Sequence, residues 1–176
     1  MKKEIFNFEL KDTESPEEVI AECAKEIEEC TKNMVICNVL AYDGKTTSYV
    51  KTNSLLAMTL AANTEEKVDI QDFLGEQSNV QNKYEVFLSV QGLEYYKYRI
   101  MFMNYGAIAY PVQVVLNEDI AEAYNGKKQY IYDIESMDEL KCMFETIINT
   151  EYFTELLQSL IYESMRQARK NKQGEL

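Results

Sequence analysis

Histidine is missing from all 176 residues of the chain. That absence removes Ser-His-Asp and Cys-His machinery, every imidazole metal ligand, and the side chain best suited to act as a general base near neutral pH. Glycine is scarce, six residues in all, and never falls into the GxGxxG or Walker spacing that cradles phosphate at a helix N-terminus. The four cysteines, Cys23, Cys30, Cys37 and Cys142, form neither CxxC nor a zinc-ligand pairing. No apolar run approaches the length of a membrane span, and after Met1-Lys2-Lys3 the chain moves straight to Glu4 without the apolar stretch of a signal peptide. The expectations that follow are no metal, no cofactor, no membrane partner and a reducing, cytoplasmic location.

What the chain does have is acid. Its net charge is −12, with half of that, −6, in residues 1–30, whereas residues 163–176 carry +2. Such a balance repels phosphate backbones and disfavours double-stranded nucleic acid as a partner. It suits a basic protein partner or an imitation of DNA, and also the plainer purpose of solubility. Hydrophobic residues at 46% and charged residues at 27% are close to globular norms, and 176 residues suffice for one domain with its own core. A single domain over residues 1–170 is expected, with a flexible tail at 171–176.

Residues 3–10 alternate as a first strand. Ser15 followed by Pro16, Glu17 and Glu18 is a helix start: a capping hydroxyl, a proline at the first helical position, and acids where the helix dipole favours them. The helix runs to about Thr31, with Val19, Ile20, Cys23, Ile27 and Cys30 on its apolar stripe. Residues 33–42 and 45–51 read as a hairpin around Asp43-Gly44. A short helix capped by Ser54 follows, a turn or second helix spans Asp69 to Leu74, and residues 75–83 form a polar loop.

The strongest pattern is an antiparallel meander over residues 84–116. Tyr84, Val86, Leu88 and Val90 share one side of a strand, and Gln91-Gly92 turns it. Tyr96, Tyr98, Ile100 and Phe102 share one side of the next, and Ile108, Tyr110, Val112, Val114 and Leu116 one side of the third. Pro111 cannot donate to a ladder, so the third strand is at an edge or interrupted there. Asn117 caps a short helix ended by Asn125-Gly126, and a strand runs from Lys128 to Ile134. Ser136 then opens a helical region with stripes through Leu140, Phe144 and Ile147 and through Phe153, Leu157 and Leu160. The pattern leaves open whether Asn149-Thr150 breaks this region in two. The expected fold is α+β: an antiparallel sheet of five to seven strands with a central meander, packed on one face against the N-terminal acidic helix and the C-terminal helical pair.

Candidate chemistry concentrates on the alternate face of the second meander strand, which carries Tyr95, Lys97, Arg99, Met101 and Met103. Two cations beside tyrosines can hold an anionic ligand or stack a base, and they are also ordinary on a half-exposed sheet. Nine of the thirteen tyrosines lie between residues 84 and 132, a concentration that suits an interface as well as a set of strands. Tyr95, Lys97, Arg99 and Tyr105 are therefore the candidate ligand or partner residues. Glu18, Glu22, Glu26 and Glu29 form a candidate acidic docking face on the first helix, or a merely solvated one. Asp43 with Glu65-Glu66-Lys67 imitates nuclease spacing, but the aspartate sits at a turn and the ExK in a polar connection, so metal-dependent hydrolysis ranks last.

The expectation for function is a non-enzymatic binding or regulatory protein acting through protein contacts, of the general character of inhibitors and immunity proteins. Its partner is a protein, basic in one version, or a second copy of the chain. The alternative is a small-ligand or nucleotide-binding domain built around Lys97 and Arg99.

Overall fold

The computed structural model describes residues 11–43, 81–127 and 129–173. The expected first strand, the second strand of the first hairpin, the segments between Ser54 and Leu74 and most of the following polar loop lie outside the described residues. Within them are four helices and a five-stranded antiparallel sheet, an α+β fold. In order they are α1 (Pro16–Cys30), β1 (Val35–Ala41), β2 (Asn82–Val90), β3 (Leu93–Tyr105), β4 (Val112–Leu116), α2 (Glu118–Asn125), β5 (Ile131–Ile134), α3 (Met137–Ile148) and α4 (Glu151–Gln173). The strand order is β1-β2-β3-β4-β5, so the meander expected over residues 84–116 forms the middle of the sheet.

Local chemistry sets the ends of these elements. Glu18 accepts from the backbone N–H of Ser15 at 3.0 Å and from its hydroxyl at 2.9 Å, which locks the first turn of α1 and holds the Glu18 carboxyl below its ordinary range. Lys32 and Asn33 take left-handed φ values of 52° and 60°, and the Asn33 N–H closes the helix on Glu28 O at 2.8 Å. Pro111, joined to Tyr110 by a cis peptide, stands just before β4 begins at Val112. The interruption reading of that strand is therefore the right one, and β4 is an inner strand. The two C-terminal helices are separate: the Thr150 hydroxyl accepts from Phe153 N–H at 3.2 Å, starting α4 where Ile148 ended α3.

One apolar cluster joins the sheet to the helices. It includes Val19, Ile20 and Ile27 of α1, Leu140, Phe144 and Ile147 of α3, and Phe153 and Leu160 of α4, packed against Val86, Leu88, Ile100 and Val114. These helices lie on one face of the sheet, as the stripes implied.

The side-chain phase of β3 departs from the expectation. Val86 pairs with Met101 but the next residue, Phe87, pairs with Arg99, so Ile100 is an extra residue and both it and Met101 point into the core. From there the phase is reversed. Met101 and Met103 join the cluster, whereas Phe102, expected among the core residues, turns to the opposite face beside Glu85. Strict alternation across residues 96–103 fails because a bulge adds one residue without adding a partner. A second irregularity near the hairpin pairs Leu88 with Tyr98 and Val90 with Leu93, which leaves Ser89 facing several residues, Tyr95 among them.

Candidate functional site

On the face of the sheet away from α1 and α3, the register aligns Leu40, Glu85, Phe102, Val115 and Ile131 as direct neighbours across the strands. The two ends of this row are exposed, Leu40 at 52% and Ile131 at 51%. Glu85 is buried near its middle, with 7% of its side chain exposed. Lys97 and Arg99 of β3 close over it. Arg99 donates through Nη2 at 2.9 Å and Nε at 3.3 Å to Glu85 Oε2, and Lys97 Nζ donates to Oε1. Both cations also lie over aromatic rings: Lys97 Nζ is 4.0 Å from the centroid of Phe87, and Arg99 Cζ is 4.5 Å from that of Phe102 and 5.7 Å from that of Tyr42. The rings of Tyr42 and Phe102 are themselves 4.7 Å apart.

This arrangement explains how a carboxylate tolerates burial in a sheet. Burial alone pushes the Glu85 carboxyl up, but the hydrogen bonds and charges of Lys97 and Arg99 outweigh it and hold the group below its ordinary range. The same contacts neutralise the cations, which remain only 37% and 39% exposed. An incoming anion would compete with a carboxylate already in place.

The four candidate residues are not one site. Lys97 and Arg99 are together on the outer face. Tyr95 stands near the β2–β3 turn, 99% exposed, with a left-handed φ of 67° that is costly for an aromatic residue. Tyr105 lies beyond the bulge, in phase with Met101 and Met103, and therefore faces the helical side. There it stacks on Tyr84, with centroids 6.2 Å apart and planes 8° from parallel, and its hydroxyl donates to Glu17 Oε2 at 2.5 Å. Burial and that carboxylate both raise the Tyr105 phenol above its usual range.

The acidic helix face is partly committed. Glu18 is held by the Ser15 cap, whereas Glu22, Glu26 and Glu29 are exposed and have no ion pair among the described residues. Glu65-Glu66-Lys67 lies outside the described residues. Among the described residues no group of three or more cysteine, aspartate or glutamate side chains is placed to hold a metal ion, and no helix is long and apolar enough to cross a membrane. Of two open depressions of about 450 and 490 Å³, the first borders this site through Tyr42 and is also lined by Lys83, the second lies beside Gln158 and Tyr162, and neither is lined by Lys97 or Arg99.

Glu85 is the residue that sequence reasoning missed. The signal was present, because Glu85 occupies the outward phase between Tyr84 and Val86 on the strand before the Lys97 and Arg99 stripe, and opposite charges across neighbouring strands pair. Compared with known proteins, the chain matches no family model, no curated protein and no solved structure.

Proposed function

We propose that this protein is a non-enzymatic binding or regulatory protein that acts through protein contacts, with the outer sheet face as its contact surface. The observation that carries the reading is the pairing of Glu85 with both Lys97 and Arg99 on a face that also exposes Leu40 and Ile131. Neutralised charge beside exposed aliphatic area is the composition of a protein interface, not of an anion pocket. The strongly acidic remainder of the surface steers association toward a basic partner.

Paired affinity capture from the source organism tests this, with the wild-type chain and a Leu40→Asp, Ile131→Asp variant of the two exposed ends of the row as baits. A protein held by the first and lost by the second is the expected result, and identical captures overturn the assignment of this face. A thermal-shift panel of nucleotides and phosphate supplies the opposing arm. A ligand that stabilises the wild type but not a Lys97→Ala, Arg99→Ala variant would establish the small-ligand alternative instead.

A further inference from the structure

The two outermost strands of the described sheet are unlike. β5 spans four residues, short enough to offer little to another chain. β1 spans seven, Val35–Ala41, and contains no proline, no charged residue and no bulge against β2. Among the described residues, then, nothing in the strand itself blunts this edge by proline, charge or bulge.

The hydrogen-bond phase of β1 is fixed at both ends. Gln91 N–H donates to Met34 O at 2.9 Å and Tyr42 N–H donates to Lys83 O at 2.8 Å, both in register with the β1–β2 ladder. In an antiparallel pair the main-chain groups of alternate residues point toward the partner strand. Ile36, Asn38 and Leu40 therefore bond to β2, and Val35, Cys37, Val39 and Ala41 direct their N–H and C=O groups away from it. The Thr31 hydroxyl occupies the first of these positions, 3.0 Å from Val35 O and accepting from Val35 N–H at 3.3 Å. Beyond it, no backbone bond from a described residue reaches the outward groups of Cys37, Val39 or Ala41. The flanking Ile36 and Leu40 side chains are exposed.

We infer that this edge accepts an extended, lysine- or arginine-bearing segment of a partner protein as an additional strand, a proposal that rests on the protein-contact reading above and gives the partner its chemistry. Main-chain bonds to Cys37, Val39 and Ala41 supply the pairing, and Leu40 and Ile36 contact alternate side chains of the added strand. Charge decides the occupant. α1 packs on β1, its last turn contains Glu28 and Glu29 and no basic residue, and Asp43 follows the strand. Lys32, in the intervening turn, only partly offsets them. A second copy paired edge to edge would set these acids against their own counterparts, whereas a basic strand meets them with opposite sign.

The test is amide hydrogen exchange by NMR on the full chain, with the peptide acetyl-Lys-Val-Lys-Thr-Lys-Val-Lys-amide and its glutamate counterpart as probes, each at about 1 mM, where weak strand addition is detectable. The lysine peptide is expected to slow exchange at Cys37 and Val39 about tenfold, and the glutamate peptide to leave it unchanged. Val39→Pro deletes one outward donor and leaves the ladder to β2 intact, so protection by the peptide should fall while the fold persists. Glu28→Lys with Glu29→Lys should reverse the peptide preference. Equal protection by both peptides, or by neither, overturns the proposal. So does protection in the protein alone, which rises with concentration if a second copy fills the edge and is constant if the edge is already covered. If this edge fails while capture still depends on Leu40 and Ile131, the broader protein-contact reading stands.

Discussion

The two faces of this sheet bury comparable side chains by different means. On the helical side, Val86, Leu88, Ile100, Met101 and Met103 meet α1 and α3 in a continuous apolar cluster. On the other side Glu85 is buried beneath two cations, and Phe102 and Phe87 lie against those cations. The first arrangement draws on non-directional removal of apolar area from water, and the second on directional pairing that fails if one partner is lost. A single strand, β3, serves both faces by alternation, and its bulge at Ile100 sends Met101 and Met103 inward and Phe102 outward. The comparison separates a face specialised for stability from one whose groups are matched in charge and partly open to solvent.

The sharpest way to break that contrast is truncation on the helical side. Phe144→Ala should cost about 3–5 kcal/mol, because the site is fully enclosed by packed elements. Phe87→Ala on the half-buried outer face should cost about 1 kcal/mol by lost apolar area. Equal losses in urea unfolding would show that the outer face is as much a core as the inner one.

A smaller effect is expected from Lys97→Ala with Arg99→Ala, which strands Glu85. The loss at pH 7 should be about 2 kcal/mol, below the usual cost of breaking a buried pair because both cations are more than a third exposed. Its pH dependence follows from the depressed Glu85 carboxyl. A group whose pKa is lowered by folding contributes stability above its unfolded value, near pH 4.5, and loses it as pH falls through the folded value. The wild type and the variant should therefore converge in acid. A gap that stays constant between neutral pH and acid would show that Glu85 titrates normally.

Tyr105→Phe removes the bond to Glu17 and should cost about 1 kcal/mol in chemical denaturation. Because folding raises this phenol, its contribution is present below the ordinary tyrosine range and is lost as pH rises through the folded value. The variant should be the less sensitive to alkali. The smallest effect is at Tyr95, where Tyr95→Gly should leave the fold intact or stabilise it by up to about 1 kcal/mol, since only the left-handed backbone opposes the native conformation there. A marked loss would mean that the exposed ring makes contacts important to the fold.

Elements governed by local rules were legible from residue order. The Ser15-Pro16 start of α1, the Asn117 and Ser136 caps and the Gly126 stop with its φ of 67° each follow from chemistry within a few positions. The candidate site was legible only in part. Lys97 and Arg99 were placed on the outer face by alternation alone, but Tyr105, read as part of a turn at Asn104-Tyr105-Gly106, is instead the last residue of β3 and faces the helical side. Nothing at Ile100 announces a bulge: β-branched and apolar, it fits a regular ladder, and the shift is seen only in how β3 pairs with β2. Glu85 remained unseen for a related reason, since its partners are fixed by the register between strands and not by distance along the chain.

By itself, then, the order of residues determined where most described helices and strands begin and end, that one face of the meander is apolar, and that imidazole chemistry is absent. These outcomes depend on interactions within one turn of helix or on the strict two-residue period of a strand. The tertiary structure alone decided which acid meets which cation, which methionines enter the core, and which alternate backbone groups of β1 point outward. Each of those depends on strand pairing between residues from 12 to more than 50 positions apart, where a shift of one residue moves a side chain to the opposite face of the sheet.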